Sequence, residues 1–453
     1  MDRIVAMALA FLLVLPFAGI NGGEVASTID TNDILYVGGS GPGNYTRVQA
    51  ALDDAGDGAT VYVYPGLYHE SIVINKQLGL IGIEKNGEKP VIQAEENHSA
   101  VLILADGCTL KGFIMKSQEI LISDDNPPSC EIRSDSNIIE NNTFMYGTQV
   151  FFLNQSSYNV IKHNTIIGGY WRGMYSRYGT HNDISGNEAR LSSGEGFYLR
   201  EANSTITYNT ATENCHGMSI SGSSSCSISF NSIYRNTQYG LSLDDCTDVS
   251  VINNSIHDHA YGGVLVSDSS NCTISGNELY SNQAGVRLYG TIGVNYEGST
   301  HNVVARNDIY GNDVGIYWES GCKNNYFTYN NLVDNSENAY FWTSLEIGDP
   351  DFPLHRPCQN IWNRNYWSDW TTSVPKPIQG MLTVWLSSFY IDLPWLTFDK
   401  HPAAEPHGNI TLPDIEDDST ATTFPRGDMS LPSSLAPVSA SRASSSFCDN
   451  SGE

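Results

Sequence analysis

Apolar residues fall along this chain in short alternating runs, separated by tight polar turns rather than gathered into long segments. Val61-Tyr62-Val63-Tyr64 and Ser71-Ile72-Val73-Ile74 alternate with the period of a strand, and Leu78 to Ile83, Pro90 to Gln93 and Val101 to Leu104 continue the pattern. From Cys108 to about Asn331 a single unit recurs. Residues 271–289 show it: Asn-Cys-Thr-Ile-Ser-Gly-Asn-Glu-Leu-Tyr-Ser-Asn-Gln-Ala-Gly-Val-Arg-Leu-Tyr. That is a short strand, a bend at an asparagine, a second short strand, a turn, and a glycine opening a third. No stretch within these units carries helical periodicity, and they are rich in Gly, Asn and Ser, which excludes helical repeats.

The bend asparagine keeps a nearly fixed step: Asn142, Asn164, Asn187, Asn209, Asn231, Asn254, Asn277, Asn307 and Asn330 lie 22 or 23 residues apart, except for one step of 30. Gly173, Gly196, Gly217, Gly240, Gly263, Gly285 and Gly315 keep the same beat. A recurrence of this length marks a stacked solenoid. Three strands per turn predict an all-β right-handed parallel β-helix of about eleven turns, on the order of 50 Å long at the usual strand spacing. The asparagine side chains are expected to stack and hydrogen-bond along the axis.

The glycines sort the third strand of each turn by face. Met174, Phe197, Met218, Leu241, Val264, Val286 and Ile316, with Leu199, Ile220, Leu243, Val266 and Leu288, should point inward, and alternate positions outward. Outward residues are Tyr175, Arg177, Tyr198, Arg200, Ser219, Ser221, Ser242, Asp244, Leu265, Ser267, Arg287, Tyr289, Tyr317 and Glu319, with Trp171 and Arg172 just before the first pair.

The ends differ from the repeat. Residues 1–27 carry Arg3 and an apolar run from Ile4 to Ile20, and are expected to be a cleaved export signal; no other stretch is long and apolar enough to span a bilayer. Residues 28–60 are expected to form an N-terminal cap whose short helix, Tyr45 to Ala55, is capped by Asn44. The β-helix is placed at 61–335. Residues 336–401 hold six of the eight tryptophans and read as an aromatic C-terminal cap, and 402–453 as a disordered acidic tail rich in Ser and Pro. Insertions near 123–129 and at 290–300 are expected as side loops.

Charge narrows the partners. Basic residues number 23 against 50 acidic ones, for a net charge of -27. A cationic surface for nucleic acid or anionic lipid is therefore excluded. Export to the cell surface or medium agrees with eight Asn-x-Ser/Thr sequons, at Asn44, Asn97, Asn141, Asn154, Asn203, Asn253, Asn271 and Asn409, although Asn141 and Asn253 are expected in strands, poor ground for a glycan. The nine cysteines form no CxxC pair, so most are expected as small apolar residues inside the coil, with one or two disulfides between turns left open.

Stacking would place Tyr175 against Tyr198 and Arg177 against Arg200. Two readings stand. The rings stack and the arginines pair with Glu195 or Glu201, or rings and guanidinium groups form a platform for a sugar or uronate. His257 and His259 could face one metal if extended, but a solvated turn after Asn254 is the better reading, and no cofactor or metal is expected.

The opening Asn44-Tyr-Thr-Arg-Val-Gln-Ala-Ala-Leu-Asp, Gly58-Ala-Thr-Val-Tyr-Val and Gly66-Leu-Tyr-His-Glu, with the ending Asn365-Tyr-Trp-Ser-Asp-Trp370, resemble the NosD-like and pectin-lyase-like β-helix proteins. The resemblance covers roughly residues 33 to 400. It implies a β-helix that binds or processes carbohydrate, or assists copper delivery. His216-Gly217 and Asp244-Asp245 are similar to fragments of pectin hydrolases, but in the reverse order. Arg177, Tyr178, His181 and Arg200 are similar to part of the set used by uronate lyases and epimerases. The expectation is a monomeric secreted or surface protein that binds polysaccharide at Trp171, Arg172, Tyr175, Arg177, Tyr198, Arg200, Arg287, Tyr289, Tyr317 and Glu319. The alternatives are a uronate lyase, C5-epimerase or glycoside hydrolase, and a copper-delivery accessory.

Overall fold

The computed structural model describes residues 34–117, 127–290, 298–319, 321–347, 360–386 and 389–408. The export signal, most of both insertions, Asn409 and the tail beyond residue 408 lie outside the described residues.

The chain winds as a parallel β-solenoid with three faces. One turn shows the plan: Thr205–Thr207 lies on the first face, Thr210–Thr212 on the second and His216–Ser221 on the third. Each strand pairs in parallel with its equivalent one turn away. The second face is a ladder of 13 strands, so there are about thirteen turns, not eleven. The ladder extends at both ends beyond the asparagine series from Asn142 to Asn330, its last strand being Tyr366–Trp367. Leu67–His69, Val91–Gln93 and Ile114–Lys116 already lie in this ladder, but their turns carry no bend asparagine to count. The residues sorted as inward, from Met174 to Leu288, are all buried.

Through the asparagine repeat the corners between faces are made in one way. A residue in the left-handed region bends the chain, and the next residue points inward. In the turn above, Asn203, Tyr208 and Glu213 have φ of 52, 56 and 56°, and the buried residues after them are Ser204, Asn209 and Asn214. The expected ladder occupies one corner: Asn187 donates its backbone N–H (2.9 Å) and its side-chain amide (3.0 Å) to Oδ1 of Asn209, which repeats this to Asn231. Two further ladders run five residues to either side. Asn137, Asn159 and Asn182 begin one, and Asn214, Asn236, His259, Asn282, Asn312 and Asn335 form the other. Unpaired backbone N–H groups inside a coil would each cost about 1–3 kcal/mol, and these side chains accept them.

The helix spans Val48–Asp54 and turns Val48, Ala51 and Leu52 onto the first turn. Asn44 does not cap it; its amide bonds the Gly38 carbonyl. The carboxylate of Glu70 instead accepts the N–H groups of Val48 (2.9 Å) and Gln49 (3.1 Å), where the helix dipole favours an anion.

At the other end, Trp318, Trp362, Trp367, Phe327 and Phe341 fill the core, with ring centroids 4.2–5.8 Å apart. Lys376–Leu386 and Phe389–Asp399 pair antiparallel at the end of the third face. The outer strand exposes Trp395 and Phe398, and Pro394 lies within it. Proline offers a passing strand no donor, which guards an open edge. Residues of the 402–408 segment, assigned to the tail from sequence, run along the last turn: His407 N–H donates to Asn331 Oδ1 (2.8 Å), and Ala403 bridges Tyr366.

Among the described residues six cysteines are free and buried, while Cys215 is disulfide-bonded. Burial pushes the Cys226 and Cys272 thiols up to about 11, so they serve as packing groups rather than nucleophiles.

Candidate functional site

Strands of the third face are longer than the others. Arg172–Thr180 spans 9 residues and Glu195–Ala202 spans 8, against 3 for the neighbouring strands. The extra length sets side chains in columns down the outer surface. Gln149, Arg172, Glu195 and His216 form one; Phe152, Tyr175, Tyr198 and Ser219 the next; Asn154, Arg177 and Arg200 a third.

The first group of candidates is closed by an ion pair and ring contacts, although Arg172 Nε, like Arg200 Nε, is buried without a hydrogen bond. Arg172 Nε lies 3.2 Å from Glu195, and its guanidinium sits 4.0 Å from the Tyr198 ring centre and 4.8 Å from that of Tyr175. Phe152 stacks on Tyr175 at 4.9 Å. The ring faces expected to receive a sugar are thus covered by protein, and Trp171, just before the strand, is half-buried. Glu195, expected as a partner for Arg177 or Arg200, pairs with Arg172 instead. Glu201 is not a partner of either outer arginine: it points into the coil, 2% exposed, and accepts bonds from Ser176, Ser204 (2.6 Å) and Asn182 (3.0 Å). Burial pushes its carboxyl above the usual range, against those three bonds.

Arg287, Tyr317 and Glu319 form a second closed group. Arg287 donates to Glu319 Oε1 (3.0 Å) and to the Tyr239 hydroxyl (3.0 Å), and lies 5.4 Å from the Tyr317 ring centre. Tyr317 stacks on Tyr340, and Tyr289 stands exposed at the rim.

The third group is open. A bulge between Arg177 and Gly179 pushes out Tyr178, with φ of 59° and 51% exposure. The Arg200 and Arg177 guanidinium groups lie 4.9 and 5.3 Å from its ring centre. Among the described residues neither arginine forms an ion pair, and Arg200 Nε is buried without a hydrogen-bond partner. The two arginines are register neighbours, about 4.8 Å apart along the ladder. Their repulsion costs on the order of 1–3 kcal/mol, and an anion between them would remove it. Tyr178 entered only through the resemblance to uronate lyases and epimerases, and not among the outward residues, because counting by strict alternation cannot register a bulge.

Between the open group and the Arg287 group one column holds Ser219, Ser242 and Leu265 and the next Ser221, Asp244 and Ser267; the small residues Ser219 and Ser242 have their hydroxyls 3.1 Å apart. They leave a low floor along the third face.

Other chemical candidates come apart. Asp244 ends an outward strand and Asp245 follows it at φ of 53°; burial pushes the Asp244 carboxyl up, with the charges of Asp268 and Asp245 adding to the rise. His216 stacks on Tyr239 at 6.1 Å, and burial lowers its pKa against the pull of Glu195. His257 and His259 do not share a site, and neither lies in a solvated turn. His257 stacks between Tyr234 and Tyr280 on the second face, at 5.4 and 4.4 Å. His259 is 3% exposed and takes an asparagine position in a corner ladder: its Nδ1 accepts the Asn236 N–H and its Nε2 lies 3.2 Å from the Ile233 carbonyl.

Burial holds the His259 imidazole down at about 4. A base depressed in the folded state leaves stability intact above the unfolded pKa and removes it as pH falls. Between about pH 6.5 and 4 the loss should total about 3 kcal/mol. His259→Asn restores the ladder residue, and urea unfolding at pH 7 and pH 4.5 should show that much of the acid sensitivity gone.

A family model described as periplasmic copper-binding protein (NosD) matches residues 117–238 and 173–371, together more than half of the chain. A cell surface glycoprotein of Methanothermus fervidus is 26% identical over 197 residues, covering 43% of this chain and 31% of its own length, so the chain spans about a third of that relative. Among solved structures, the A-module of a mannuronan C-5 epimerase of Azotobacter vinelandii superposes with a TM-score of 0.56 at 17% identity, covering 64% of this chain and 92% of that one. The catalytic domain of an alpha-1,3-glucanase in complex with nigerose gives 0.50 at 15% identity, covering 74% and 70%. At these identities the structures share the fold alone. The described residues do not fit copper. Among those described, no group of three or more His, Cys, Asp or Glu is placed to hold a metal, and His259 spends both ring nitrogens on the ladder.

Proposed function

The chain belongs to the NosD family, and on that premise we propose that it is a surface β-helix protein that binds polysaccharide on its third face without turning it over. The observation that carries this reading is the uncompensated pair Arg177 and Arg200 beside exposed Tyr178, on a protein of net charge -27. A carboxylate on the sugar chain would take the guanidinium donors, and the exposed Tyr178 ring offers a face to the sugar's C–H groups. The low Ser219 and Ser242 floor gives an extended chain room to continue toward Tyr289. The surface-glycoprotein relative and the carbohydrate-active structural neighbours support this setting without deciding it. No helix among the described residues is long and apolar enough to cross a membrane.

Turnover needs an acid and a base converging on one bond. His216, the histidine of the fragment similar to pectin hydrolases, is stacked on Tyr239, which gives that reading less support than binding has. Purified protein should be incubated with an array of neutral and uronate-containing polysaccharides, and the supernatants analysed. The account expects retention on acidic polymers with unchanged sugars. Unsaturated, epimerised or shortened products would overturn the binding-only reading, and retention on no polymer would remove the function.

A further inference from the structure

The three-cornered cross-section does more than close the coil: it sorts the sequons. The residue that bends each corner points away from the axis, because its successor points in. Asn203, Asn253 and Asn271 are such corner residues, with φ of 52, 55 and 55°, and all three are exposed. Asn253 is therefore not within a strand, as its sequence neighbours implied. Asn97 is likewise exposed, with φ of 58°. None of these four carboxamides makes a side-chain hydrogen bond among the described residues.

The other described sequons differ at the atom that matters. Asn44 gives its side-chain N–H to the Gly38 carbonyl. Asn141 gives its own to Glu140 (3.2 Å) and is half-buried at its corner. Asn154 lies within the strand Gln149–Asn154 and donates to Glu131 (3.2 Å), itself 7% exposed. A substituent on any of these three nitrogens would crowd the neighbour it bonds and leave a single N–H to serve that bond.

We propose that Asn97, Asn203, Asn253 and Asn271 carry N-linked oligosaccharides in the exported protein, and that Asn44, Asn141 and Asn154 do not. The co-reactant is a polyprenyl-phosphate-linked oligosaccharide. Asparagine Nδ2 forms a C–N bond to the anomeric carbon, the anomeric C–O bond to phosphate breaks, the polyprenyl phosphate leaves with the electron pair, and the amide gives up one proton. Asn203, Ser225, Asp248 and Asn271 occupy successive corners between the third and first faces. The glycans on Asn203 and Asn271 would thus stand about 14 Å apart, along one edge of the face that holds Arg200. They would fence that face without covering the second.

The test is glycopeptide mass spectrometry on full-length protein secreted from an N-glycosylating host, with Thr205→Ala and Thr273→Ala as companions. Those variants remove the acceptor motif while leaving each asparagine in place. The wild type should carry glycan mass at the four positions and none at the other three, and each variant should lose one glycan, at Asn203 or Asn271. Glycan on Asn44, Asn141 or Asn154 of the folded protein overturns the assignment, and so does an unmodified peptide at any of the four.

Discussion

Replacing Asp399 with alanine should destabilise the last turns by about 3–5 kcal/mol, the loss typical of breaking a buried, charge-bearing network. The asparagine ladder has a direction: each residue donates to the carbonyl oxygen of the next. Its last member, Asn365, has no asparagine ahead, and Asp399 takes that place. The Asp399 carboxylate is 0% exposed. It accepts the N–H groups of Arg364 (3.2 Å), Asn365 (3.0 Å) and His401 (3.1 Å), the Asn365 side-chain amide (3.0 Å) and the Trp367 indole N–H (3.2 Å). Alanine would leave these donors dry and loosen Trp367 in the aromatic plug. Asp399→Asn keeps one accepting oxygen but turns an amide toward the remaining donors, and should cost about half as much. Urea unfolding followed by tryptophan fluorescence gives the magnitude. Hydrogen exchange should show the loss concentrated in residues 360–401, and equal loosening along the whole coil would refute the role.

That terminator was not legible in the sequence, and the reason is physical. The ladder announced itself because one residue type recurred at one spacing. Asp399 follows a hairpin, out of step with the repeat. The two flanking ladders were in step, five residues either side of each bend asparagine, but letters change along them: Asn182 gives way to Ser204 and Cys226, and Asn236 to His259. What the corner requires is an acceptor or a small plug rather than asparagine. Period and alternation fixed the inward set from Met174 to Leu288, because burial depends on parity alone. They could not show that Arg172 would spend itself on Glu195 and Tyr198, or that Tyr178 would be pushed out by a bulge. Which side chains remain unpaired is decided across turns.

The largest binding effect is expected at the arginines those pairings leave over. Charge-assisted hydrogen bonds are worth about 1.5–3 kcal/mol each, so Arg177→Gln with Arg200→Gln should weaken binding of an acidic polysaccharide roughly 100-fold or more. Neither side chain holds the fold through an ion pair, so unfolding temperature should hold or rise slightly as their mutual repulsion is removed. Lys162→Gln is a suitable control, since Lys162 pairs with Glu140 (3.8 Å) on the first face. Attraction between exposed charges is screened as salt rises, so wild-type affinity should fall from low to high salt and that of the double variant should be flat.

The most direct test of the account is therefore calorimetric titration of a polyuronate into wild type and the Arg177→Gln/Arg200→Gln variant at two salt concentrations. The account predicts salt-sensitive binding by wild type and its loss in a double variant that melts normally. Equal affinity in both proteins would contradict it.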